Sequence, residues 1–117
     1  MTPSHNHGRA LNPRRYAIIA LTVITALIHF ALSFNPFNPL FLLNGIGYLV
    51  LIVALYFIPQ LAGHRALIRW LLLAYTAVTF VLYFVFNWPA IWGPAGLIDK
   101  AVELILIILL WLDRKDP

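Results

Sequence analysis

Four continuously apolar stretches run along the chain, each bounded by residues that end or start a helix. The first spans Tyr16 to Phe34, the second Leu40 to Ile58, the third about Ala66 to Phe86 and the fourth about Pro94 to Leu112. A helix needs about 20 predominantly apolar residues to cross a hydrocarbon core about 30 Å thick, so each stretch is long enough to span a bilayer. The segments NPFNP at Asn35 to Pro39, Pro59 and NWPAIWGPAG at Asn87 to Gly96 cannot continue a helix. Short connections force consecutive spans to be antiparallel neighbours, which predicts an all-α membrane protein built as an antiparallel four-transmembrane-helix bundle. Barrel strands would alternate and be about half as long. Residues 1–15 read as a polar, flexible tail, 16–112 as the transmembrane domain and 113–117 as a charged C-terminal tail.

Charge fixes the expected orientation. Arg9, Arg14 and Arg15 precede the first span, Arg65 and Arg69 lie in the second connection, and Arg114 and Lys115 follow the fourth span. The first and third connections carry no charge, so the positive-inside rule puts both termini in the cytoplasm. Tyr16, Trp70 and Trp111 at that side, with Trp88 and Trp92 opposite, match interfacial aromatic belts. Arg14 and Arg15 before an apolar run look like a signal-peptide start, but no small-residue cleavage site follows, so the first span is expected to be retained.

Composition narrows the class. Apolar types make up 62% of the residues and charged types only 10%, too few charges for a soluble domain, a disordered chain or a coiled coil. The net charge of +4 is a topological signal, and no nucleic-acid partner is expected. With no cysteine, disulfides and thiolate chemistry are excluded.

The candidate chemistry lies in polar residues inside the apolar stretches. An Asp, Lys or Arg at a helix centre costs about 2.5 to 3.5 kcal/mol, while each Leu, Ile, Phe or Val returns about 0.3 to 0.6. The fourth span carries Asp99, Lys100 and Glu103, so it must rely on partners in the other three. Counting from the outer ends at 1.5 Å per residue, His29 and Asp99 lie about 7.5 Å deep and Asn44 about 6 Å, with Thr25, Tyr48, Thr79 and Glu103 about 10 to 14 Å deep. Thr22, Thr25 and His29 share one helix face, as do Asn44 and Tyr48, then Thr76, Thr79 and Tyr83, then Asp99 and Glu103. The economical arrangement is a single polar cavity in the outer half, lined by His29, Asn44, Tyr48, Thr79, Tyr83, Asp99 and Glu103, with Lys100 in the same cluster. Two carboxylates and one ammonium sum to minus one, which a protonated His29 or one protonated carboxyl would cancel. This makes a proton-responsive or cation-binding site one reading.

The same residues have structural readings. A His–carboxylate pair can lock helix register, Asn44, Tyr48 and the threonines can act as interhelical glue, and the ionised groups can snorkel if the helix starts at Leu97. Gly45 and Gly47 suit close helix approach. His5 and His7 form an H-x-H pair without a third ligand, His64 reads as a solvated residue near lipid phosphates, and TFVLYFVFNW suits lipid contact and packing. No H-E-x-x-H, G-x-S-x-G or phosphate loop occurs, and no second buried histidine completes bis-His haem ligation. No residue is assigned as catalytic or metal-binding.

The segments IHF at Ile28 to Phe30, FLLNGIGYL at Phe41 to Leu49, RW at Arg69 and Trp70, YT at Tyr75 and Thr76, YFVFN at Tyr83 to Asn87 and GLIDKAVEL at Gly96 to Leu104 resemble a group of small prokaryotic four-span membrane proteins with no assigned function. The resemblance implies a four-helix membrane domain and carries over no activity. The leading expectation is a non-catalytic protein of the prokaryotic plasma (inner) membrane, an accessory subunit or homo-oligomer whose partners are the lipid bilayer and a membrane protein or second copy. The alternative is a small transporter, or a protein binding a cation, proton, quinone or haem at His29, Asp99 and Glu103. A third reading, an intramembrane enzyme with His29 as base and Asp99 as its orienter, lacks a nucleophile or metal motif.

Overall fold

The structure, a computed structural model, describes residues 12–34 and 37–115. The polar tail as far as Leu11, with His5 and His7, lies outside the described residues, as do Asn35, Pro36, Asp116 and Pro117. Four α-helices account for most of the described chain: α1 (Pro13–Leu32), α2 (Pro39–Tyr56), α3 (Arg65–Asn87) and α4 (Pro94–Asp113), with a 3-10 helix over Pro59–His64 leading into α3. No strand occurs among the described residues.

The helix starts follow from local chemistry. Proline opens α1, α2, α4 and the 3-10 helix, where its fixed φ suits the first turn and its missing N–H costs no hydrogen bond. The Asn12 side chain accepts from the Arg15 amide at 2.9 Å, and Asn38 accepts from the Leu40 and Phe41 amides at 3.0 and 3.3 Å. These caps satisfy N–H groups that the helix itself leaves unpaired.

The helices pack as a closed ring, α1 against α2, α2 against α3, α3 against α4 and α4 against α1, while across the α2–α4 diagonal long side chains, Tyr48 to Glu103 and Tyr56 to Asp113, make the contact. Ile18, Ile52, Leu55, Ile68, Leu72, Leu106 and Leu110 form an apolar core in the half that holds the chain ends. At Gly45 a Cβ would stand 2.7 Å from the Phe30 ring and 3.0 Å from the Ala26 carbonyl, so glycine is what lets α2 lie against α1. Gly45→Leu is therefore expected to lower stability by about 1 to 3 kcal/mol, read as a fall in the thermal midpoint of the detergent-solubilised protein.

The distribution of residue types is inverted relative to a water-soluble domain. Arg15, His29, Arg69, Asp99, Lys100, Glu103 and Asp113 are buried, whereas Leu27, Leu43, Val50, Val78, Val85 and Ile98 face outward and are more than half exposed. Three stretches, Pro13–Leu32, Pro39–Tyr56 and Pro59–Asn87, are long and apolar enough to cross a membrane. Helix α4 is not among them, because Asp99, Lys100 and Glu103 interrupt its apolar run, but these three turn inward while Ile98, Leu104, Ile105, Ile108 and Leu112 turn outward.

Candidate functional site

Spacing on each helix brings a polar group from α1, α2 and α4 to one point. Thr25 and His29 lie one turn apart on α1, Tyr48 comes from α2, and Asp99, Lys100 and Glu103 occupy one face of α4. The Thr25 hydroxyl donates to Asp99 Oδ1 at 2.5 Å and has Glu103 Oε2 as a longer alternative at 3.3 Å. The Tyr48 hydroxyl donates to Glu103 Oε2 at 2.7 Å. Lys100 Nζ pairs with Glu103 Oε1 and lies 3.4 Å from Asp99 Oδ2, with its ammonium 5.0 Å from the centre of the Tyr83 ring. Every member of the cluster is almost fully buried, so each charge must be compensated locally.

His29 decides the proton arithmetic. Its Nδ1 lies 2.8 Å from the Thr25 carbonyl oxygen. A carbonyl can only accept, so Nδ1 carries a hydrogen and donates it. Nε2 then faces Asp99 Oδ2 at 3.7 Å and Glu103 Oε2 at 3.9 Å. In a neutral imidazole that nitrogen is a bare lone pair directed at two carboxylates, an arrangement relieved by one positive charge: a proton on Nε2, a proton on one carboxyl, or a bound cation. His29, Asp99 and Glu103 each offer a ligand atom, and these lie within 4.8 Å of one another. Charge balance favours a monovalent occupant, because the cluster minus one becomes plus one if a divalent ion joins Lys100.

The remaining expected members stand around this centre. On α2 and α3, the Thr79 hydroxyl donates to Asn44 Oδ1 at 3.3 Å and the Tyr75 hydroxyl to the Asn44 carbonyl at 2.7 Å. Gly47 makes room for that tyrosine, since a Cβ there would overlap its hydroxyl. Tyr83 holds the α3–α4 connection by donating to the Ile91 carbonyl at 2.8 Å, and its ring lies beneath Lys100. Asn44, Thr79 and Tyr83 thus border the ionised cluster without hydrogen bonding to its carboxylates. All three, with His29, Asp99 and Lys100, line one cavity of about 890 Å³ bordered by all four helices.

A second buried network at the opposite end escaped the sequence reading. Asp113, the last residue of α4, accepts from Arg14 at 2.9 Å and Arg15 at 3.3 Å through Oδ1, and from the Tyr56 hydroxyl at 2.9 Å and Arg69 at 3.1 Å through Oδ2. Its side chain is fully buried. Burial by itself pushes the carboxyl up, but the Tyr56 and Arg14 hydrogen bonds and the nearby Arg15 guanidinium outweigh it and hold Asp113 below the usual carboxylate range. This contact also fixes geometry: the start of α1, the start of α3 and the end of α4 lie at one end of the bundle. The available sequence signal was an acid immediately after the last apolar run, placed among the chain's basic residues.

Compared with protein-family models, curated proteins and solved structures, the chain matches none of them. The functional reading rests on the geometry.

Proposed function

We propose that the protein is a small multi-pass protein of a prokaryotic plasma membrane, with four transmembrane helices and both termini cytoplasmic, whose interior cluster binds one exchangeable positive charge, a proton in the first instance. The observation that carries this is the Nε2 of His29 facing two buried carboxylates that share a single ammonium. The membrane part is supported by α4, whose charges turn inward and whose outward face is apolar; insertion costs of about 2.5 to 3.5 kcal/mol per ion fall when the ion faces its partners. The Arg14, Arg15, Arg65, Arg69 and Arg114 side chains gather at the end that the positive-inside rule assigns to the cytoplasm.

Two experiments test the two parts. The natural chain has no cysteine, so Gly63→Cys, Lys115→Cys and Ala90→Cys each introduce a single label site. In intact spheroplasts a membrane-impermeant maleimide is expected to label the Ala90→Cys protein only; labelling of the Lys115→Cys protein without permeabilisation contradicts the orientation. For the charge, Glu103→Gln removes one negative charge and makes the cluster neutral without an added proton. The folded variant is expected to take up one proton fewer than wild type on titration from alkaline to neutral pH, and an unchanged count contradicts the reading.

A second reading, that the cluster serves as interhelical glue in an accessory subunit or homo-oligomer, is favoured by one observation. Among the described residues, every side-chain nitrogen and oxygen atom that is itself shut off from solvent has a hydrogen-bond partner. On that reading Glu103→Gln destabilises the protein and changes nothing else.

A further inference from the structure

The cavity beside the cluster carries information that proton binding alone leaves unused. Its longest wall is one face of α3, where Leu71, Val78, Leu82 and Phe86 recur at helical spacing with Tyr75 and Tyr83 between them. From Leu71 to Asn87 that face extends about 24 Å at 1.5 Å per residue. Leu71, Val78, Leu82 and Phe86 are 50%, 56%, 39% and 73% exposed, so the cavity opens sideways along its length. Its volume of about 890 Å³ falls within the usual range for small-molecule sites, roughly 300 to 1,000 Å³. The walls are mainly apolar and the polar groups converge near His29, Asp99 and Lys100. In a bilayer this is the layout of a site for an amphiphile, with the polar part toward the outer surface and the apolar part toward the middle.

Charge then selects the class of amphiphile. Asp99 borders the cavity, whereas Glu103 lies behind it, held by Lys100 and Tyr48. The groups around Asp99 are Thr25 and His29 from α1 and Lys100 and Glu103 on α4 itself, with Tyr48 from α2 on Glu103 and with Tyr75 and Tyr83 of the α3 wall lining the same cavity. Two carboxylates and one internal ammonium leave room for a single further cation, and Asp99 is the carboxylate a ligand in the cavity would meet. The ammonium of Lys100 over the Tyr83 ring shows that an aromatic face here already helps to hold a cation. An anion would meet a net negative cluster, and a divalent ion would overshoot its charge.

We propose that this cavity takes an amphiphilic organic monocation, entering sideways from the lipid, with its charged centre at Asp99 and its apolar body along α3, in exchange for the proton of the cluster. The inference rests on the reading that the cluster holds one exchangeable positive charge. One cation enters, one proton leaves and the net charge of the site is unchanged.

Tetraphenylphosphonium, a lipophilic monocation that carries no titratable proton, is the probe. The full chain in lipid nanodiscs, with empty nanodiscs as the blank, is expected to bind it saturably and to release one proton per chain into weak buffer. Affinity is expected to rise with pH by up to about tenfold per unit, the limit for one-for-one competition with a proton. Asp99→Asn is expected to weaken binding by about tenfold or more, a loss of about 1.4 kcal/mol. Val78→Trp, at an exposed position that should not disturb folding, is expected to weaken tetraphenylphosphonium binding while leaving the Glu103-dependent proton count intact. Equal binding of tetraphenylborate, or wild-type affinity in both variants, overturns the proposal. If the phosphonium does not bind while Glu103→Gln still lowers proton uptake by one, the cavity inference alone is wrong; if that difference is absent too, both readings fall.

Discussion

Asp113→Asn is expected to destabilise the folded protein by about 3 to 5 kcal/mol, the usual loss when one partner of a buried ion pair is removed. The cause is geometric. Arg15 and Arg69 are 2% and 3% exposed and converge with Arg14 on this one carboxylate, so neutralising it leaves guanidinium charge facing an amide. The Tyr56 hydroxyl loses a charged acceptor at the same time. Linkage adds a pH signature. Asp113 is held below its ordinary value in the folded state, so its stabilisation is complete above the unfolded carboxyl value of about 3.9 and is lost as pH falls through the lower folded value. Thermal midpoints of wild type and variant should therefore differ most at neutral pH and converge in strong acid. A variant as stable as wild type at neutral pH would show that the guanidiniums do not depend on Asp113.

Lys100→Met is expected to change the proton count in the opposite direction from Glu103→Gln. With the ammonium gone, Asp99 and Glu103 leave the cluster at minus two, and neutrality then takes two protons where wild type takes one. At alkaline pH the variant is expected to lose about 3 to 5 kcal/mol of stability, most of it recovered on acidification. Lys100→Arg keeps the charge and should keep the single proton, while the double variant Lys100→Met with Glu103→Gln returns the count to one. A titration in which these variants all take up the same number of protons would detach Lys100 from the balance of the site.

The helices were legible because their limits rest on local rules. Pro39, Pro59 and Pro94 set helix limits whatever the tertiary packing, whereas the start of α1 at Pro13, capped by Asn12, fell within what reads as a flexible tail. The cluster was legible in part for a similar reason: spacings of four residues put Thr25 with His29, and Asp99 with Glu103, on shared faces, and residue counts from the helix ends placed them at similar depth. What spacing could not supply was rotation between helices. It put Asn44 and Thr79 with Asp99 around one cavity, but could not say that these two bond to each other at the α2–α3 contact. The Asp113 network depends on three helix ends meeting, and Arg14, Arg15 and Arg69 at those ends also satisfied a topological rule that asked for no partner. The apolar length of the cavity was hidden because Leu71, Val78, Leu82 and Phe86 read equally well as lipid-facing residues; only the gap beside α2 makes them a wall.

The charge balance of the cluster turns on which nitrogen of His29 is protonated and on what the other one meets. Nitrogen-15 NMR of the imidazole, in the full chain within lipid bilayers, reads both directly. Nδ1 is expected to carry a hydrogen at every pH, donated to the Thr25 carbonyl, while the Nε2 signal shifts in step with the single proton taken up by wild type and stays fixed over that interval in Glu103→Gln. An Nδ1 without hydrogen, or an Nε2 signal indifferent to that uptake, would contradict it.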